Sequence, residues 1–152
     1  MREHRRSGRQ HDVDPICFLV AGALQAILSE GEFSLEWRHS VQKTRWVEHY
    51  RADGAALVLE TASVEGTGAG MEPPPVAVRH DGEWIWYPQT RLPELRLTHS
   101  SDVPDYTLCG PVGACRTLTG LVGPLPDGAV VTVHTCSWIA LLAGATPDRP
   151  PR

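Results

Sequence analysis

"FSLEWRHSVQKTRWVEHYRADGAALVLETASV", residues 33–64, decides the fold class. Phe33, Leu35 and Trp37 alternate with Ser34, Glu36 and Arg38, a period of two that puts the apolar set on one face of a strand. A second run, "WVEHYRA", meets Asp53-Gly54, and "ALVLETASV" follows. Asp-Gly between apolar runs is a strong short-range hairpin signal, because its central residues adopt positive φ. The signal recurs at Asp81-Gly82, between "VAVRH" and "EWIWY", and at Asp127-Gly128, ahead of "AVVTVH". "LPELRLTHS", "YTLC" and "CRTL" supply further strands. Seven to nine short strands are therefore expected over residues 33–136. The class is all-β: one small antiparallel sandwich or partly closed barrel, with an N-terminal hydrophobic segment.

Composition sets the outer limits. A chain of 152 residues with 41% hydrophobic residues suits one modest core. The formal charge of −4, with no basic block in the body, argues against a nucleic-acid partner, which needs a basic face to neutralise phosphates. Fourteen glycines and thirteen prolines, dispersed along the chain, favour many turns over long helices. Four segments are expected: an arginine-rich polar extension (1–15), a hydrophobic signal or anchor segment (16–31), the β domain (32–137), and an apolar segment with a proline-rich tail (138–152). The run "ICFLVAGALQAIL", residues 16–28, is too short for the roughly 20 residues of a spanning helix. It suits a secretory leader, with Ala21-Gly22-Ala23 as the cleavage candidate. The plain alternative is a buried N-terminal helix. On the leader reading the protein is periplasmic or otherwise extracytoplasmic, cut near Ala23 or held at the membrane by an uncleaved anchor.

Cys109 and Cys115 flank "GPVGA", a tight turn that suits a short-loop disulfide in an oxidising compartment. A zinc site built from Cys109, Cys115, Cys136 and His134 is the rival, but its spacings match no standard finger or ribbon. No cofactor is expected. The partner of Cys136 stays open.

Two segments carry candidate site chemistry. "EGTGAGMEPPP" places Gly66, Gly68 and Gly70 at alternate positions, but Pro73-Pro74-Pro75 forbids the helix that a phosphate-binding loop would open. A crossover in which backbone approaches backbone or a ligand is the better reading, and amides of Gly68, Gly70 and Met71 could form an anion nest. Ser40-Val41-Gln42-Lys43 satisfies Ser-x-x-Lys, yet that motif works on a helix face, and residues three apart on a strand point to opposite faces. His39 and Glu48 could add a base or a metal ligand. A small hydrolase or a metal-dependent enzyme using Ser40, His39 and Glu48 is thus the alternative to a binding protein. Lys43 is the only lysine beside thirteen arginines. That choice suggests a site wanting a compact, hydrated ammonium, against the plain reading of compositional accident at an exposed turn.

In order, "FSLEWRHSVQKTRWVEHY", "GTGAGMEPPP", "DGEWIWYP", "LPELRLTHS" and "YTLCGPVGACRTL" resemble the bacterial family called domain of unknown function 1850, over residues 33–136. The family's opening block falls on His39-Ser40-Val41, Lys43, Trp46, Glu48 and Tyr50, and its glycine block on residues 66–74. Val47 departs from the acidic residue often found there. The resemblance implies a small exported protein, its gene often beside those of TRAP-type transporters of the TAXI class. The reading carried forward is a non-enzymatic accessory domain that binds a small anionic solute or a transporter component. His39, Ser40, Lys43, Glu48, Gly68, Gly70, Met71 and Glu72 are its candidate site, and Trp37, Trp46, Trp84 and Trp86 the candidate walls of an apolar pocket.

Overall fold

The computed structural model describes residues 13–39, 43–66 and 73–144. The chain opens with β1 (Ile16–Val20) and β2 (Ala23–Leu28), followed by β3 (Glu32–Arg38), β4 (Arg45–Asp53) and β5 (Ala56–Glu65). Short strands β6 (Val78–His80), β7 (Glu83–Trp86), β8 (Thr90–Leu92) and β9 (Leu95–Thr98) come next. β10 (Thr107–Cys109), β11 (Cys115–Thr117), α1 (Leu118–Val122), β12 (Val130–Thr135) and α2 (Trp138–Leu142) complete the described residues. All pairings are antiparallel, in two sheets: β2-β1-β12-β9, and β11-β10-β3-β4-β5-β7-β6 with β8 also on β5.

The alternation in residues 33–37 works as expected. Phe33 and Leu35 are buried, and they meet Ile16, Phe18, Val131 and Val133 of the smaller sheet in one core. Phe33 lies between the sheets, 5.9 Å from the ring of Phe18 and stacked at 5.3 Å on Tyr50. Because the two sheets pack face to face, the fold is a sandwich and not a closed barrel. From residue 32 onward the described residues form ten strands, slightly more than expected, because β6 and β8 are only three residues long.

Residues 16–28, expected as a hydrophobic signal or anchor segment or else as a buried helix, form a hairpin inside the smaller sheet and not a helix. Ala21 and Gly22 have φ of 49° and 79°, so both central residues of the turn are left-handed, as a type I′ hairpin requires. Ala21 and Gly22, two residues of the cleavage candidate, form this turn. The run is continuously apolar because β1 is covered on both faces. Ile16 and Phe18 face the sandwich core, while Cys17 and Leu19 face Cys136 and Leu141. A bulge between Phe18 and Leu19 leaves Gln25 as the extra residue of β2, so Leu24 joins the outer cluster while Ala26 and Leu28 join the core.

Cys17, which a cut near Ala23 would discard, is bonded to Cys136, and Cys109 is bonded to Cys115. All four thiols are consumed, so the zinc alternative loses its ligands. The helix α2, expected only as an apolar segment, sends Leu141 onto the outer face of β1. No helix among the described residues is long and apolar enough to cross a membrane.

Candidate functional site

The β3–β4 hairpin carries the candidate residues, and its register decides which of them can meet. Trp37 stands opposite Trp46 and Leu35 opposite Glu48. Past the last pair, the His39 amide donates to the Thr44 carbonyl (3.0 Å) and the Lys43 amide to the His39 carbonyl (2.9 Å). His39, Trp37, Trp46 and Glu48 thus belong to the inward face, while Arg38 and Arg45 belong to the outward one. His39 and Glu48 lie two residue pairs apart on that face, about 13 Å along the strands, with the tryptophan pair between them. They do not converge as base and ligand. Ser40 lies outside the described residues.

Lys43 sits at the loop's end, exposed, with φ of 58°. Arg38 Nη1 donates to its carbonyl at 3.1 Å, which holds the turn from the outer face. The ammonium has no ion pair among the described residues.

Gly68, Gly70, Met71 and Glu72 also lie outside the described residues, but the start of their segment is fixed. Trp46 pairs with Val64, so continuing the register by two residues brings Gly66 level with Thr44. The Gly66 amide donates to the Gly82 carbonyl at 3.2 Å. Hairpin loop and glycine segment therefore leave the large sheet at the same end. Arg45 secures that end from outside, contacting Glu36 at 2.8 Å, Glu83 at 3.2 Å and Glu65 at 3.7 Å, carboxylates from three other strands.

Glu48 is a structural surprise. It points to the core side, where Tyr50 donates its hydroxyl to Oε2 and Trp37 also hydrogen-bonds the carboxylate. Burial raises its pKa above the usual glutamate range, and those two hydrogen bonds only partly offset the effect. The Tyr50 hydroxyl is pushed upward by its own burial and then by the Glu48 charge. A carboxyl with a raised folded-state pKa stabilises the fold most below its unfolded value, and that contribution is lost as pH rises through the folded value. Stability should therefore climb as the solution is acidified from neutrality into the upper carboxylate range. Glu48→Gln should flatten that portion of the curve in urea denaturation run across a pH series. An unchanged slope in the variant would assign the pH dependence elsewhere.

The tryptophans form a cluster more than a cavity. Trp37 stacks on Trp46 at 5.3 Å and 10°, and Trp86 meets Trp46 edge-on at 5.9 Å and 89°. Trp84 sits apart, with the Arg79 guanidinium 5.9 Å from its ring. The second His-Ser dipeptide, His99-Ser100, was not expected at a site. Yet it shares a cavity of about 40 Å³ with Trp37, Arg38 and Tyr106, next to the first dipeptide's strand. His99 Nδ1 lies 3.7 Å from Asp105 Oδ1, buried and without a hydrogen bond. Asp105 is held by the amide (2.9 Å) and hydroxyl (2.7 Å) of Thr119. No spacing rule in the sequence links residues 99, 105 and 119; only the sheet topology does.

No curated protein and no solved structure matches the chain. One family model matches residues 33–118, from the buried Phe33 to the buried Leu118. With more than half of its length covered, the chain belongs to the family described as domain of unknown function DUF1850.

Proposed function

We propose that this is an extracytoplasmic binding domain without catalytic machinery, recognising a small anionic solute or a component of a TRAP-type transporter through the end of the sheet that carries Lys43. Two disulfides suit an oxidising compartment, since reducing cytosol disfavours them. The observation that carries the reading is the backbone of Lys43. A left-handed conformation costs an L-residue about 1–2 kcal/mol, which is why glycine usually fills such positions. A lysine kept there, in a chain that otherwise uses arginine, places a mobile ammonium at the loop's end at the expense of stability. The glycine segment begins at the same end of the sheet, since Gly66 lies level with Thr44 in the extended register.

Lys43→Gly separates binding from folding. Relief of the left-handed strain, less glycine's own entropy, should stabilise the domain by about 0.5–1 kcal/mol. The same variant should lose the rise in melting temperature that the wild type shows with at least one small organic acid, among acetate, succinate, glutarate and citrate, or with a purified TRAP solute-binding protein. A stabilised variant that keeps the full ligand-induced shift would defeat this reading.

A further inference from the structure

At the other end of the large sheet, the sandwich opens into a groove of about 260 Å³ between β2 and the β10–β11 hairpin. Its walls are apolar, with Ile27, Leu28, Leu108 and Leu121 among them, and it also takes Glu30 and Arg116. Ser34 pairs with Cys109 at this end, so the groove is five residues of β3, about 17 Å, from His39. It is a separate site from the Lys43 loop.

Arg116 is out of place by the logic of the sheet. Its cross-strand partner is Leu108, whose own partner is Leu35, and both leucines are core residues. Residues directly opposite share a face, so Arg116 is on the core-side face of an edge strand that is exposed along its length, at the mouth between the sheets. Arg45, Arg51 and Arg91 on the same sheet each pair with a carboxylate. Arg116 has no ion pair or hydrogen bond among the described residues, and neither has Glu30. We propose that the groove binds a small carboxylate with a branched apolar body, its anionic end on the Arg116 guanidinium and its apolar end between Ile27, Leu28 and Leu121. Arginine suits that role, because its planar fork matches a carboxylate in two parallel hydrogen bonds. The volume lies just under the range of drug-sized sites, which limits the ligand to a short chain. Glu30 fixes its direction: an unpaired carboxylate at the β2 side repels the ligand's charge and leaves the β11 side for it. The competing explanation is that an inward charge guards the open edge against pairing with another chain. The proposal stands independently of the Lys43 reading.

Titrating the full chain with 4-methylpentanoate, 4-methylpentan-1-ol and 4-methylpentan-1-amine, followed by the methyl resonances of Ile27 and Leu121, decides between them. The carboxylate should shift both methyls and bind about tenfold more tightly than the alcohol, one charge-assisted hydrogen-bond pair being of that order. Arg116→Gln should erase that preference, and Glu30→Gln should tighten carboxylate binding severalfold. Equal binding of the three probes, tighter binding of the amine, or no shift at millimolar concentration would overturn the proposal. So would an Arg116→Gln chain that self-associates while its affinity for 4-methylpentanoate is unchanged, the behaviour of an edge guard.

Discussion

A chain that begins at Leu24 is expected not to fold. Removing residues 1–23 deletes β1, the strand that joins β2 to β12 in the smaller sheet. Ile16, Cys17 and Phe18 are wholly buried and Leu19 nearly so. Burial of an aliphatic or aromatic side chain contributes about 1.5–3 kcal/mol. Loss of the three apolar ones, with the β-ladder on both edges and the disulfide to Cys136, exceeds the 5–15 kcal/mol that typically separates folded from unfolded states. Far-ultraviolet and near-ultraviolet circular dichroism should report a chain without native packing. A chain that begins at Val13 should fold normally, since it keeps the strand and the Val13 carbonyl that accepts from Trp138 Nε1 at 3.0 Å. A cooperative unfolding transition in the shorter chain would mean that the domain does not need β1.

The large sheet was legible because half-buried antiparallel strands write their burial into the sequence. Phe33, Leu35 and Trp37 alternate with polar residues since one face meets the core and the other meets water. Asp81-Gly82 could be read for the same local reason, its φ of 48° and 81° being what a type I′ turn requires. β1 could not be read that way. Covered by β3 and β4 side chains on one face and by α2 on the other, it shows no alternation, and a short continuous apolar run looks alike in a leader, a buried helix or a doubly covered strand. At the site, Lys43 and the glycine segment were visible as unusual residues in unusual company. Glu48 carries no such signal, because a carboxylate in an amphipathic strand is ordinarily placed on the wet face. Only the register, which puts it opposite Leu35, reveals that it points inward. Arg116 escaped notice for the same reason in reverse: three-residue strands such as β10 and β11 are too short to show a period.

The two disulfides should contribute very unequally. In the chain-entropy description a cross-link stabilises by restricting the unfolded ensemble, and the effect grows with the logarithm of the loop it closes. Cys17 and Cys136 are separated by 119 residues, and joining them is worth about 5 kcal/mol on that scale. Cys109 and Cys115 are separated by six, which gives about 2 kcal/mol. Replacing Cys17 and Cys136 together by alanine should therefore remove a large part of the domain's stability, whereas the corresponding change at Cys109 and Cys115 should leave a clear folded baseline in urea. Access to reductant follows the same division. Cys17 is wholly buried and Cys136 is 8% exposed, while Cys115 lies on an edge strand exposed along its whole length. Thiolate attack requires contact with a sulfur, so the short bridge should open under native conditions and the long one only through unfolding. Alkylation with mass mapping after graded reduction should find Cys109 and Cys115 modified first, with Cys17 and Cys136 following at the rate of global unfolding. Equal denaturation midpoints for the two double variants, or simultaneous reduction of both bridges, would show that the N-terminal hairpin is not fastened to the core as the contacts of β1 require.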